Sequence, residues 1–166
     1  MRIAYGDIVL GLPVDQITRQ ISYVADAVVE AALEVAQRRV QEKHQATYGA
    51  DFQPPRFVVL ALGKLGGSEL TYSSDIDLLF LYQPVAALPA RRPADPGDYA
   101  NRVAQLLIQL LSDTTELGFA YRVDMRLRPD GKQGPLCSTV ASALAYYDLR
   151  GRTWERQAYV KARPIA

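Results

Sequence analysis

A single cysteine (Cys137), a single histidine (His44) and a single tryptophan (Trp154) stand in the 166 residues. One thiol excludes an internal disulfide framework, and one thiol with one imidazole excludes a Cys/His zinc finger. The scarcity of cysteine fits a reducing, cytoplasmic setting. No apolar run approaches the ~18–20 residues of a membrane-spanning helix. The opening Met1-Arg-Ile-Ala-Tyr-Gly-Asp7 lacks the basic-then-apolar design of a secretion signal. An excess of one charge is missing too: 19 Lys and Arg against 18 Asp and Glu give +1, which by itself points to neither nucleic acid nor an anionic membrane. What is there is ordinary for a globular domain, 49% hydrophobic and 22% charged residues. A chain of this length buries roughly 70% of its unfolded surface, enough for a core without staples.

The charge is unevenly spread. From Arg122 onward the chain carries nine Lys and Arg against four acids, about +5, which leaves about −4 on the part before it. Solvated charged faces are one explanation; a cationic wall for phosphate groups is the other.

Periodicity predicts a long amphipathic helix over roughly Val14–Tyr48, with Ile17, Ile21, Val24, Val28, Ala32 and Val35 on its apolar side. This gives a leading helical segment, residues 1–50, ahead of a core at 51–166. Phe57–Leu62 is a continuous apolar run between Pro55 and Gly63 and reads as a buried strand. A glycine-dense turn, Gly63–Ser68, follows it, and Ile76–Tyr82 is the second strand. Residues 83–97 hold Pro84, Pro89, Pro93 and Pro96 and read as a loop. Asp98–Leu111 is a helix, Phe119–Leu127 a third strand, and Thr139–Leu149 and Thr153–Ala162 are helices parted by Gly151. The expected class is α+β, a small mixed sheet with helices on it.

Asp75 and Asp77 bracket Ile76 where the second strand begins. Positions i and i+2 of a strand share a face, so two carboxylates sit side by side. They repel unless a cation lies between them, and hard divalent cations prefer oxygen ligands. A polar strand entrance facing water is the plainer reading. Upstream, Gly66-Gly67-Ser68 offers bare backbone and a hydroxyl to a phosphate. In Tyr121-Arg-Val-Asp-Met-Arg-Leu-Arg128, alternation puts Arg122, Asp124, Arg126 and Arg128 on one face. Asp124 is then either an ion-pair partner or a third metal-facing carboxylate, with arginines placed for phosphoryl oxygens. Lys64 has two readings as well, a phosphate contact or a residue that closes the turn.

Three ordered blocks resemble one family. They are Leu62-Gly-Lys-Leu-Gly-Gly-Ser-Glu-Leu-Thr-Tyr-Ser-Ser-Asp-Ile-Asp-Leu-Leu-Phe80, Arg122-Val-Asp-Met-Arg-Leu-Arg-Pro129 and Gly151-Arg-Thr-Trp-Glu-Arg-Gln-Ala-Tyr-Val-Lys-Ala-Arg163. They look like the bifunctional glutamine synthetase adenylyltransferase/adenylyl-removing enzymes. The resemblance implies a nucleotidyltransferase fold like that of DNA polymerase β. It also implies two magnesium ions on Asp75, Asp77 and Asp124, and phosphates at Gly66, Gly67 and Ser68. It implies glutamine synthetase as protein substrate, ATP, ADP and phosphate as small-molecule partners, and a PII-type nitrogen signal protein as regulator. The last block and the Tyr146-Tyr147 pair resemble the N-terminal, adenylyl-removing half, whose reaction is phosphorolysis to ADP; forward transfer of AMP from ATP is the alternative. The family pattern runs on past Ala166, so a truncated or fragmentary chain is expected. A non-catalytic nucleotide-binding module is a rival reading, although it has no need of three aspartates. A small-molecule nucleotidyltransferase is another, but it leaves the two later blocks unexplained.

The remaining residues have plainer expectations. Trp154 packs, Cys137 is a buried inert thiol, His44 faces solvent at the polar end of the first helix, and Arg91-Arg92 solubilise the proline loop or touch a protein substrate.

Overall fold

The computed structural model describes residues 1–49, 52–85 and 94–166. A short helix α1 (Arg2–Ile8) precedes the long α2 (Val14–Tyr48). Strand β1 (Arg56–Ala61), the one-turn helix α3 (Gly63–Gly66) and strand β2 (Ile76–Gln83) follow, then α4 (Pro96–Ser112). The remainder is β3 (Val123–Asp124), a 3-10 turn (Gly131–Gln133), β4 (Cys137–Thr139), α5 (Val140–Leu149), α6 (Thr153–Ala158), a second 3-10 turn (Tyr159–Lys161) and β5 (Arg163–Pro164). This is the mixed α+β architecture expected.

The sheet runs β3-β2-β1-β5, with β4 also on β2. β1 pairs antiparallel with β2 over six residues, Val59 opposite Phe80, and antiparallel with β5. β3 and β4 take successive stretches of the other edge of β2, both parallel to it. β2 is central, and its two faces serve two apolar layers. Ile76, Leu78 and Phe80 join the main core with Val59 and Ala61 of β1, under α2 and α4. Leu79 and Leu81 belong to a smaller layer with Leu62 and Ala143, against Leu127, Tyr147 and Tyr159. That explains why β1 and β2 read as unbroken apolar runs: both faces are covered. Each fully buried Leu or Phe here contributes roughly 1.5–3 kcal/mol.

α2 cannot stand alone and lies against α4. Its buried stripe is Ile17, Ile21, Ala25, Val29, Leu33, Ala36, Val40 and His44. The expected stripe began correctly but drifted: Val24 is exposed, while Ala25 and Val29 face inward. Branched residues flank the small ones, and only the small Ala25 and Ala36 let the helix approach closely enough. His44 is a second correction, since it is 4% exposed. Its Nδ1 donates to the Val40 carbonyl at 3.1 Å, and its ring sits among Tyr48, Phe52 and Tyr99.

The third strand is the largest discrepancy. Only Val123 and Asp124 are strand, because Arg126 and Arg128 turn back to bond local oxygens and end the extension. Alternation therefore does not carry Arg126 and Arg128 onto a strand face with Asp124. The last predicted helix breaks after Ala158 into the 3-10 turn, and Trp154 is 51% exposed rather than packed. Cys137 is buried as expected, with its thiol pushed up to about 12 by burial. The proline loop falls partly on residues 86–93, outside the described residues. Among the described residues, no helix is long and apolar enough to cross a membrane.

One polar link ties α2 to the segment leading into β2. Ser22, fully buried, donates to the Thr18 carbonyl at 2.8 Å and accepts from the Leu70 N–H at 3.1 Å. Ser22→Ala leaves that amide without a partner and is expected to cost about 1–3 kcal/mol in urea unfolding; an unchanged midpoint would show that the amide finds another acceptor.

Candidate active site

β2 starts at the point where its face is not yet covered by α5. Asp77 stands there on the same face as Leu79, and β3 places Asp124 directly opposite it in parallel register, Ile76 facing Val123. A backbone bond holds this register, Ile76 N–H donating to the Arg122 carbonyl at 2.9 Å, while on the other edge Leu62 N–H donates to the Asp77 carbonyl at 2.9 Å and fixes β2 against β1. The strand pairing thus brings together two carboxylates distant in sequence. Asp75 lies just ahead of β2 and is exposed.

Each carboxylate has a different electrostatic situation. Asp75 accepts from Arg122 Nε at 2.5 Å, and the same guanidinium donates to the Ser73 carbonyl. Asp124 accepts from Arg126 three ways: from its backbone N–H at 2.8 Å, from Nε at 2.8 Å and from a terminal nitrogen at 2.5 Å. The side-chain bonds from Arg126 hold the Asp124 carboxyl below its ordinary range, against desolvation. Asp77 has no such partner. Burial raises its pKa first, and the Asp124 charge raises it further, with Arg126 opposing. Asp77 is therefore the uncompensated member.

Gly63 makes room for it. With φ at +53°, Gly63 takes a left-handed conformation, and a Cβ there would lie 2.5 Å from Asp77 Oδ2. Ser68, at the other end of the turn, also has positive φ (+57°), an uncommon conformation for a residue with a side chain. Within the turn the backbone donors are spent locally: Gly66 N–H on Leu62 O, Gly67 N–H on Gly63 O and Ser68 N–H on Leu65 O. Lys64 is exposed on α3, and its charge eases the ionisation of Asp77.

Arg126 and Arg128 part company. Arg126 reaches the acidic group, where Asp124, Asp77 and Asp75 all hold its proton. Arg128 instead donates to the carbonyls of Met125 (2.7 Å), Lys132 (3.3 Å) and Gly134 (3.4 Å), closing the loop after β3. The same loop is held from the other side by Tyr159, whose hydroxyl donates to the Leu127 carbonyl at 2.7 Å and accepts from Tyr147. Sequence reasoning passed over Tyr159; no local pattern connects it with a residue 32 positions earlier.

Among the described residues, no three His, Cys, Asp or Glu groups stand close enough to hold a metal ion as the side chains lie. Asp77 and Asp124 nonetheless fit a hard cation, being adjacent oxygen donors whose mutual repulsion a cation would relieve. Asp75 is engaged by Arg122.

The site is thus an acidic pair on adjacent parallel strands, with Arg126 bound to Asp124 and the glycine turn packed against Asp77. The sequence profile of one family, described as glutamate-ammonia ligase adenylyltransferase, matches residues 1–166, and the chain belongs to that family. A relative from Thioalkalivibrio sulfidiphilus, named bifunctional glutamine synthetase adenylyltransferase/adenylyl-removing enzyme, is 39% identical over all of this chain and 17% of its own length. Proteins of the same name from Nitrosococcus oceani (40% identical, 100% of this chain, 17% of theirs) and Pseudomonas aeruginosa (41%, 99% and 17%) are equally similar. The chain thus spans about a sixth of the length of these relatives.

Two expectations follow. Because the folded state raises the pKa of Asp77, its ionisation destabilises the fold as pH rises through that value. In metal-free buffer Asp77→Asn should therefore melt higher than the parent at neutral pH, with the gap closing as acid protonates Asp77; equal melting at pH 7 would mean the charge costs nothing. Arg128→Ala should lower stability by about 1–3 kcal/mol at any pH through lost carbonyl partners, whereas the loss from Arg126→Ala, which leaves the 15% exposed Asp124 carboxylate unpaired, should disappear in acid as Asp124 is protonated. Chemical denaturation of both variants checks the contrast.

Proposed function

We propose that this chain is a nucleotidyltransferase domain, with a fold of the DNA polymerase β kind, that removes AMP from the adenylylated tyrosine of glutamine synthetase. The observation that carries this reading is the in-register Asp77–Asp124 pair, faced by the Gly63–Ser68 turn, in a member of this family. In the removing direction an oxygen of inorganic phosphate attacks the AMP phosphorus. The phosphorus–tyrosyl oxygen bond breaks, the tyrosyl oxygen leaves with the electron pair and gains a proton, and ADP is released. Asp77 and Asp124, joined by Asp75 once it parts from Arg122, would hold magnesium, two ions being the expected number. Such ions stabilise the attacking and leaving oxygens of an in-line displacement.

The chain's own residues supply the remainder. Arg126 neutralises charge that develops on the phosphoryl oxygens once its hold on Asp124 is shared with a cation. Ser68 offers a hydroxyl beside Gly66 and Gly67, and Lys64 adds positive charge at the rim. The removing half is preferred over the transferring one because the block Gly151–Arg163 resembles it. A cytoplasmic location and control by a PII-type signal protein go with the same reading.

The test supplies purified protein with adenylylated glutamine synthetase, with and without phosphate. ADP that appears only when phosphate is present is the expected result. Pyrophosphate released from ATP and unmodified glutamine synthetase, without phosphate-dependent ADP, would reassign the domain to forward transfer. Neither product, with nucleotide still bound, would mark a non-catalytic binding module.

A further inference from the structure

The turn after α3 has spent the N–H groups of Gly66, Gly67 and Ser68 on its own carbonyls. Positive charge for an anion at this turn must then come from side chains. The fold brings one from far along the sequence. β5 pairs with β1, Arg163 opposite Ala61, and Arg163 also donates to the Leu65 carbonyl at 3.2 Å and to Asp26 at 3.0 Å. These contacts clamp the preceding 3-10 turn against Gly66, where any side chain would collide with the Lys161 carbonyl.

Lys161 consequently lies across Gly67. A Cβ at Gly67 would stand 2.9 Å from Lys161 Cδ and 3.2 Å from the carboxyl carbon of Glu69. Lys161 Nζ donates to Glu69 Oε2 at 2.7 Å, across 92 positions of sequence. Both side chains are about half exposed, 52% and 57%. A carboxylate is thus held by a lysine over the bare face of the glycine turn, where a phosphoryl group is expected to sit.

We propose that Lys161 is an anion-binding residue of this site and that the Glu69 carboxylate occupies its place until a phosphoryl group displaces it. The inference rests on the nucleotide site proposed above. Exposed ion pairs of this kind are weak, so parting Lys161 from Glu69 is cheap. A terminal phosphoryl group carries more charge and more acceptor oxygens than one carboxylate, so it wins the lysine. Gly67 is required because a side chain there would occupy the position the anion shares with the lysine stem.

Calorimetric titration of the full chain with ADP and with AMP, in magnesium buffer, isolates the contribution of the terminal phosphoryl group as the ratio of the two affinities. The parent should prefer ADP. Lys161→Gln should shrink that preference by roughly three- to tenfold, Lys161→Arg should retain most of it, and Glu69→Gln should enlarge it by removing the competitor. A purely structural ion pair predicts otherwise: both neutral variants would leave the ratio unchanged, and that result overturns the role of Lys161 while the nucleotide site stands. A parent that binds neither nucleotide overturns the site reading and this inference together.

Discussion

Two carboxylates held side by side by main-chain hydrogen bonds are the constraint around which this domain is organised. Parallel pairing of β3 with β2 sets Asp124 opposite Asp77, and no side-chain rotation can undo a register fixed by the backbone, where Ile76 N–H donates to the Arg122 carbonyl. Burial makes the repulsion worse, because a carboxylate with fewer waters feels its neighbour more strongly. The fold therefore surrounds the pair with devices that tolerate it: Arg126 on Asp124, Gly63 clearing space for Asp77, and Arg122 drawing Asp75 aside. A fold selected for stability alone would have put an apolar residue at Asp77, which continues the inner face of β2.

Much of this was legible in the sequence because it obeys local periodicity. The runs that became β1 and β2, the helical spacing of α2 and α4, and the Asp-Ile-Asp at a strand entrance are short-range signals. The start of α5 was readable, where Thr139 accepts from the Ser142 N–H, but α4 begins at Pro96 inside the expected loop, because Asp95 caps it by accepting from the Gly97 N–H. The illegible parts depend on what a segment meets in space. β4 and β5 are too short for any pattern and exist because β2 and β1 offer free edges. His44 appeared solvent-facing because polarity was judged along α2 alone, whereas Phe52 and Tyr99 fold over it. Alternation around Asp124 suggested a longer strand, but arginines with oxygens nearby turn the chain instead.

The segment from Gly151 onward shows why a resemblance block can mean more than its own secondary structure. Glu155 is buried with both oxygens employed, one accepting from the Arg152 N–H and the other from the Tyr146 hydroxyl. That anchors α6 to α5, and Tyr159 then reaches the loop after β3 through the Leu127 carbonyl. Arg163 finishes the strap at Asp26 of α2 and the Leu65 carbonyl. The strap thus touches both the loop that carries Arg126 and the turn that carries Ser68. Residues whose positions look independent in sequence are mechanically joined here.

The basic excess after Arg122 takes on a different meaning once its partners are known. A cationic wall would present unpaired guanidinium groups to solvent. Instead Arg122, Arg126, Arg150, Lys161 and Arg163 each face a carboxylate, and Arg128 and Arg156 face backbone carbonyls. The carboxylates at Asp75 and Glu69 belong to the earlier, net-acidic part of the chain, so the two halves of the charge asymmetry meet at the site and largely cancel there. The pairs exposed on both sides, Arg122–Asp75, Arg150–Asp130 and Lys161–Glu69, contribute only about 0–1 kcal/mol each, which makes them poor struts but good exchange partners. Asp77 aside, a site built from such pairs is nearly neutral. With a nucleotide and cation bound as proposed above, it would release carboxylates to the cation and cations to the anion without exposing a large bare charge of either sign. On the nucleotide reading proposed above, the two kinds of ligand would be coupled: a metal on Asp124 would loosen Arg126, and a phosphate on Arg126 would loosen Asp124.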